Sequence, residues 1–243
     1  MRSVRDWGGN IAAYVFVIAL NGLANSLPVG GQTTGSVSAK YPSLFTPAGF
    51  TFSIWGLIYL SLLVFVIWQS LPAQRNNQRL SQVSTPFQLN AVLNGVWIIA
   101  WHYEFIFVSL LLMLGILITL VQIFRTLEPS DSLFLRFPFS LYTGWITVAT
   151  IANISALQTG MEWNDLLFTA VQWTWLKLAV AGAIGAVVIT STRNVVYVAV
   201  IAWAAFGIYS KQGATPEVAG AAVTLSILAL LLITYTLISR RNA

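Results

Sequence analysis

Eight apolar stretches, separated by short breaks of turn-forming residues, dominate this sequence of 243 residues. A helix that crosses a bilayer needs roughly 20 predominantly apolar residues, and each stretch is near that length. The stretches run over Ile11–Leu27, Pro47–Leu71, Pro86–Tyr103, Glu104–Leu127, Pro138–Leu157, Val171–Ser191, Asn194–Ser210 and Glu217–Ser239. They predict an all-α, polytopic membrane bundle with about eight transmembrane helices.

The composition supports lipid rather than water as the solvent of this chain. Hydrophobic residues make up 57% and charged residues only 8%, whereas soluble domains carry about 25% charged residues. The net charge of +5 comes from basic residues at predicted helix ends, so we expect membrane lipid and no nucleic acid as a partner. The chain has no cysteine and one histidine, His102, which excludes disulfides, thiolate catalysis and a multi-histidine metal site within one chain.

Basic residues are shared unequally between the two sides of such a bundle. Eight crossings place both termini on one side, and the other side then receives Lys40 and Lys211, with Lys177 just inside the sixth stretch. Loops rich in Lys and Arg are typically cytoplasmic, so we predict a multi-pass integral membrane protein with both termini in the cytoplasm. The side of the termini carries Arg2, Arg5, Arg75, Arg79, Arg125, Arg136, Arg193, Arg240 and Arg241.

The first 27 residues also have features of a signal peptide, because two arginines precede an apolar run that ends near small residues, Ala24 and Ser26. We favour a first transmembrane helix here, since seven crossings would mix the basic residues between the two sides. The longest connection, Pro28–Thr46, is rich in Gly, Ser and Thr, so we expect it to be non-helical. It is either a lid over a cavity or a surface loop.

No predicted helix carries an acidic residue near its centre. Ion-coupled carriers and proton pumps place ionisable groups at mid-membrane, so their absence argues against both classes. Paired carboxylates and a Ser/His/Asp set are missing as well, and we assign no catalytic residue. The acidic residues, all in predicted loops or at helix ends, are Asp6, Glu104, Glu128, Asp131, Glu162, Asp165 and Glu217.

His102 and a set of aromatic and amide side chains are the remaining candidates for chemistry. His102 is either an axial ligand for haem or chlorophyll at the outer surface or an interfacial histidine among aromatic residues. The other candidates lie at helical spacing on three stretches, where they form a binding surface for a flat, mostly apolar ligand or a packed core with interhelical hydrogen bonds. They are Trp55 and Tyr59, Asn94 and Trp97, and Trp145, Ala149 and Asn153.

These residues lie in three segments that together resemble the TspO/MBR family, the tryptophan-rich sensory proteins related to the translocator protein. Residues 47–59 resemble the family's second-helix pattern, which ends in Trp-x-x-x-Tyr. Residues 93–97 resemble its third-helix Leu-Asn-x-x-Trp, and residues 145–153 its fifth-helix Trp-Val-x-Phe-Ala-x-x-x-Asn. The resemblance covers a five-helix core, residues 8–158, and leaves residues 159–243 as an additional C-terminal segment of three helices.

The resemblance implies a receptor or carrier that binds a tetrapyrrole, such as porphyrin or haem, or a sterol-like molecule in a pocket under the first loop. No obligatory cofactor is implied. Two alternatives stay open: an accessory subunit of a larger membrane complex that docks through the last three helices, and a porphyrin-degrading enzyme. A homo-oligomer is also open. The pocket residues carried over by motif position are Trp55, Tyr59, Asn94, Trp97, Trp145, Ala149 and Asn153.

Overall fold

A computed structural model describes residues 2–26, 29–163 and 167–241, and these residues form helices and connections without any strand. Pro28 and Asp165, which entered the loop predictions, lie outside the described residues. Eight of the helices have 17 or more residues, which confirms the all-α prediction. The helices are α1 (Val4–Ser26), α2 (Thr34–Lys40), α3 (Ile54–Ser70), α4 (Gln78–His102), α5 (Ile106–Thr126), α6 (Leu133–Gly160), α7 (Ala170–Thr192), α8 (Val195–Lys211) and α9 (Pro216–Arg241).

Five of the described helical segments are both long enough and apolar enough to cross a membrane: Val4–Ala24, Gly49–Ser70, Ile106–Thr126, Ala170–Thr192 and Pro216–Ser239. The apolar helix α8 is shorter. Helices α4 and α6 have ample length but a more polar composition, with buried Asn, Ser, Thr and Gln side chains. Eight crossings therefore remain a prediction.

The predicted starts of α4 and α6 at proline were wrong. Helix α4 begins at Gln78 and holds Pro86 in its interior, and α6 begins at Leu133 and holds Pro138. Each start has a side-chain cap, because Asn77 accepts from the Arg79 N–H at 3.1 Å and Ser132 from the Phe134 N–H at 3.3 Å. Such caps satisfy amide groups that the first helical turn leaves without partners.

The connection before α3 was predicted to be non-helical, and this was also wrong. It contains a 3-10 turn, Val29–Gly31, and the seven-residue helix α2, which we call the lid helix. A capping box starts the lid helix, in which Thr33 Oγ1 accepts from the Ser36 N–H and Ser36 Oγ accepts from the Thr33 N–H. This reciprocal pair stabilises a short helix in a polar segment whose composition favours loops.

The two long, more polar helices occupy the centre of the bundle. Helix α4 packs against α1 and α5, and α6 packs against α3, α5 and α8. Their buried amides find partners on neighbouring helices: Asn90 Nδ2 donates to Thr119 Oγ1 at 2.9 Å, and Asn153 Oδ1 accepts from Ser109 Oγ at 2.9 Å. Hydrogen bonds of this kind bind helices together where lipid supplies no hydrophobic driving force.

Charged side chains lie at the two ends of the bundle. At the end where the chain begins, Arg2 donates to the Gln69 backbone oxygen at 2.8 Å, and Arg79 pairs with Glu128 at 2.5 Å. At the other end, which we call the lid end, Lys40 pairs with Glu104 at 2.5 Å. The pairing of distant chain segments agrees with the predicted sorting of basic residues, and the orientation in the membrane remains a prediction.

The last three helices pack on one another, and α8 also enters the core. Tyr197 on α8 shares a 2.7 Å hydrogen bond with Thr147 on α6. Near the lid end, Trp203 Nε1 donates to the Thr51 backbone oxygen at 3.0 Å, and the Ala48 N–H donates to the Gly207 oxygen at 3.0 Å. Contacts therefore cross the predicted division between residues 8–158 and 159–243, which itself remains a prediction.

Candidate functional site

A cavity of about 510 Å³ lies beneath the lid helix, and we call it the lid cavity. Its walls come from α1, the lid helix, residues 46–59 and α4, and Lys211 at the end of α8 is the charged residue in its described lining. A volume between roughly 300 and 1,000 Å³ is usual for small-molecule sites. Its polar, aromatic and charged lining includes Thr34, Ser38, Phe52, Trp55, Tyr59, Trp97 and Lys211.

One wall is an aromatic cluster built on the start of α3 and the middle of α6. Trp55 stacks on Tyr59 with ring centroids 5.4 Å apart, as their four-residue spacing on one helix face allows. The Trp55 ring also meets the edges of Trp145 at 6.3 Å and Tyr142 at 5.9 Å, and Phe52 meets Trp145 at 5.9 Å. These edge-to-face arrangements are the preferred geometry of aromatic pairs and produce a rigid surface.

Helix α4 contributes Trp97 to the lid cavity and stacks it on Trp101, which lines the smaller cavity described below. Trp97 and Trp101 lie with ring centroids 5.9 Å apart and planes 19° from parallel. Trp101 Nε1 donates to the Thr34 backbone oxygen at 3.1 Å, so this pair also anchors the lid helix. Beyond the lid cavity, a smaller inner cavity of about 60 Å³ is bounded by Trp97, Trp145, Ala149 and Asn153.

Two indole nitrogens at this site are buried without a hydrogen-bond partner among the described residues. They are Nε1 of Trp97 and Nε1 of Trp145, and both side chains line the inner cavity. The hydroxyl of Thr34, which lines both cavities, also lacks a partner. An unsatisfied buried donor costs about 1–3 kcal/mol, so the arrangement is suited to a bound molecule that carries hydrogen-bond acceptors.

A family model described as TSPO-like protein matches residues 7–235. The chain belongs to the TSPO-like protein family. It is therefore an integral membrane protein of the TspO type, and the resemblance drawn from the three motifs is confirmed. No curated protein and no solved structure matches the chain.

The family match extends past the five-helix core of the resemblance and includes most of the last three helices. This agrees with the packing of α8 against the segment that precedes α3. In this member of the TSPO-like family, Phe50 contacts Trp203 and Phe206 with ring centroids 5.5 and 6.1 Å apart. The segment before α3, which contributes Pro47 and Phe52 to the lid cavity, thus packs on α8 as well as on the core helices.

The structure brings six of the seven predicted site residues to the two cavities and leaves Asn94 out. Trp55, Tyr59 and Trp97 line the lid cavity, and Trp145, Ala149 and Asn153 line the inner one. Asn94 is fully buried, where Oδ1 accepts from Asn21 at 2.8 Å and Nδ2 donates to the Tyr142 hydroxyl at 2.8 Å. Its side chain links α1, α4 and α6. Whether the six others bind a ligand remains a prediction.

Residues of the lid helix are the part of the site that sequence reasoning missed. Thr34 and Ser38 line both cavities, but they belong to a segment whose Gly, Ser and Thr content predicted a loop. The capping residues Thr33 and Ser36 were the available signal, and a Ser at the fourth position is weaker than the Glu or Gln of a typical capping box.

Glu104 fastens the lid helix to the turn between α4 and α5. Its carboxylate accepts from Lys40 Nζ at 2.5 Å, Gln32 Nε2 at 3.0 Å and the Tyr41 hydroxyl at 3.1 Å. The hydrogen bonds from Lys40, Gln32 and Tyr41, in that order, lower the pKa of Glu104 from 4.5 to about 2. The carboxylate is therefore charged at any physiological pH.

The His102 side chain is buried inside the bundle. It is buried in the last turn of α4, with Nδ1 2.7 Å from the Ile98 backbone oxygen. The side chain is absent from the described lining of both cavities. No group of three or more potential metal ligands occurs within the described ranges.

Proposed function

We propose that this TSPO-like protein is a membrane receptor or carrier that binds a flat, mostly apolar ligand beneath the lid helix. The observation that carries the proposal is the pair of buried indole N–H groups, Trp97 and Trp145, that lack partners beside an aromatic cavity. Stacked and edge-to-face rings offer flat apolar surface, and the indole donors require acceptors on the ligand. Lys211 supplies a cation at the adjoining lid cavity.

These features favour a tetrapyrrole over a sterol. A tetrapyrrole is planar, carries nitrogen and oxygen acceptors and has carboxylate side chains that a lysine ammonium can bind. A sterol offers a single hydroxyl, whose oxygen accepts at most two hydrogen bonds, so at least one of the three donors (the two indoles and the lysine) is left without an acceptor. We therefore propose a carboxylate-bearing tetrapyrrole as the ligand. Trp55 and Tyr59 would stack against one face of its ring system, and Trp97 would contact the other face.

The test is titration of the purified protein with protoporphyrin IX, followed by quenching of tryptophan fluorescence and by the shift of the porphyrin absorption band. The double variant Trp97→Phe with Trp145→Phe keeps the ring surface and removes both donors. Each lost hydrogen bond is worth about 1 kcal/mol, so we expect the double variant to bind about 30-fold more weakly. The matched control is Trp7→Phe, because Trp7 lies in the first turn of α1, at the end of that helix away from the lid cavity. Equal affinity in the double variant and the control would refute the site.

Porphyrin degradation is the second candidate, because Trp97 and Trp145 are oxidisable rings that line the inner cavity. It requires loss of porphyrin absorbance with wild-type protein under light and oxygen, and retention of that absorbance with the double variant. Bound porphyrin that stays intact under illumination would rule out degradation, and binding would then be the only one of these two functions left.

The accessory-subunit hypothesis draws less support from the packing. Helix α8, which was expected to be available for docking, is occupied by the core through Tyr197, Trp203 and Gly207. Exposed apolar side chains on α9, such as Tyr235 and Leu231, are what a lipid-facing helix presents. Isolation from membranes as a lone monomer or homodimer would count against this hypothesis.

A further inference from the structure

A third cavity at the lid end combines two lysines with no described carboxylate. Its volume is about 470 Å³, and it lies between the lid segment, the first turns of α7 and the end of α8. Lys177 and Lys211 both line it, together with Trp173 and Gln212. We call it the lysine cavity. It shares Lys211 with the lid cavity, so the two are neighbours, but the aromatic walls of the candidate ligand site are not part of it.

The charged groups that line the lysine cavity are both ammonium groups, and they lie beside an indole N–H and several hydroxyl and apolar side chains. Lys177 Nζ donates to Gln158 Oε1 at 2.7 Å, which leaves further ammonium hydrogens free. Neither Lys177 nor Lys211 forms an ion pair with any residue that the structure describes. Trp173 Nε1 is buried and has no partner within the same described part.

The helix that carries Lys177 adds to the positive electrostatic potential in the lysine cavity. Helix α7 begins at Ala170, which also lines the lysine cavity, and the N-terminus of a helix has a partial positive charge. An anion placed here meets two ammonium groups, an indole N–H and the positive end of a helix. The cavity therefore has the character of an anion site.

An apolar groove of about 390 Å³ adjoins the lysine cavity and shares Trp173 and Lys177 with it. It lies between α6 and α7, where its lining is formed mainly by Ile, Leu, Val and Trp side chains. Ile154, Leu176 and Val180 on its walls are each more than 40% exposed, as expected for a surface that faces lipid. A free anion would occupy the lysine cavity only and leave the groove unused.

We propose that the lysine cavity and this groove together bind one anionic phospholipid of the surrounding bilayer. The headgroup phosphate lies between Lys177 and Lys211 and accepts from Trp173 Nε1. One acyl chain lies along the groove between α6 and α7. Charge complementarity selects an anionic over a zwitterionic headgroup, because the described lining contains no carboxylate to pair with a choline or ethanolamine ammonium.

The experiment places the purified full-length protein in nanodiscs made of equal parts phosphatidylglycerol and phosphatidylcholine with the same acyl chains. Native mass spectrometry then counts the lipids that stay bound. We expect the wild type to retain one phosphatidylglycerol in preference to phosphatidylcholine. The variant Lys177→Gln with Lys211→Gln should lose this preference, with retention lower by about 100-fold or more, because both lost hydrogen bonds are charge-assisted.

The matched control is Arg5→Gln with Arg125→Gln, which removes the same charge from exposed side chains away from the lysine cavity. It should keep the preference, because general attraction of basic residues to anionic lipid falls equally in both variants. Equal retention of phosphatidylglycerol in wild type, control and lysine variant would overturn the proposal.

Two further measurements test the same lipid site if the double lysine variant is unstable. Trp173→Phe keeps the groove surface and removes one donor, so it should weaken retention without loss of helical content. Added inorganic phosphate at millimolar concentration should leave the bound lipid in place. Displacement of the lipid by phosphate alone would show a free-anion site and overturn the role of the groove.

Discussion

The contact between α8 and the segment before α3 can be tested by adding a single methyl group. Gly207 faces this segment without a side chain, and its backbone oxygen accepts from the Ala48 N–H. A Cβ atom at position 207 would overlap Thr51 Oγ1, and it would lie 2.9 Å from Thr51 Cγ2 and 3.0 Å from Pro47 Cβ. Gly207→Ala therefore forces α8 and the cavity wall apart.

The expected size of the effect follows from two opposing contributions. Overpacking of a tight contact costs up to about 3 kcal/mol, and alanine is about 1 kcal/mol more favourable than glycine inside a helix. We expect Gly207→Ala to lower the free energy of unfolding by about 2 kcal/mol. Thr51→Ala alone removes one methyl and a hydroxyl that has no described partner, and it should cost about 1 kcal/mol.

A double-mutant cycle separates this contact from a general loss of stability. Thr51→Ala removes two of the three contacting atoms, so the double variant should be no less stable than Thr51→Ala alone. Unfolding in mixed detergent micelles, followed by far-ultraviolet circular dichroism, measures each variant. Gly220→Ala on α9, where a Cβ atom meets nothing within 4 Å, is the control and should be neutral or stabilising. Additive losses in the double variant would refute the contact.

Other predictions concern the lid helix and the buried amide. Glu104→Gln removes the charge that binds Lys40, and because the Glu104 side chain is 31% exposed it should weaken lid closure by only about 1 kcal/mol, seen as faster amide exchange in 34–40. Because the pKa of Glu104 is lowered from 4.5 to about 2, the contribution of this carboxylate to wild-type lid closure should be fully present above pH 4.5 and be lost as the pH falls towards 2. Amide exchange in residues 34–40 that does not change over that range would contradict this role of Glu104. Asn94→Leu breaks the bonds to Asn21 and Tyr142 and should cost about 1–2 kcal/mol of stability, while porphyrin affinity of the folded fraction stays unchanged.

The sequence was a good guide to the number and position of the long helices, because hydrophobic runs interrupted by turn residues determine them. Four of the helices were predicted within a few residues of their ends, such as α7 and α8. The start of α4 was missed because its first turn is polar and looks like a loop. In both α4 and α6, a proline inside the helix was taken as the helix boundary. Side-chain caps at Asn77 and Ser132 decide these starts.

The candidate site was predictable where it lies on regular helices. Four-residue spacing predicted that Trp55 shares a helix face with Tyr59 and that Trp145 shares one with Ala149. The order of the three motifs predicted that their helices lie around one pocket. The role of Asn94 could not be deduced in this way, since spacing gives the helix face and not the partner that a buried amide finds across the bundle. The same limit applies to the lid, whose position depends on Glu104, distant in the sequence.

The polar character of α4 and α6 has a consequence for how this protein enters the membrane. Each of these helices carries buried amides or hydroxyls, such as Asn90 and Asn153, whose partners lie on α5. Alone in the translocation channel, such a segment leaves these groups unpaired, and insertion scales penalise it. We therefore expect α4 to be released into lipid only together with α5, and α6 to follow them. Truncated chains that end before α5 should leave α4 outside the bilayer in a glycosylation-mapping assay.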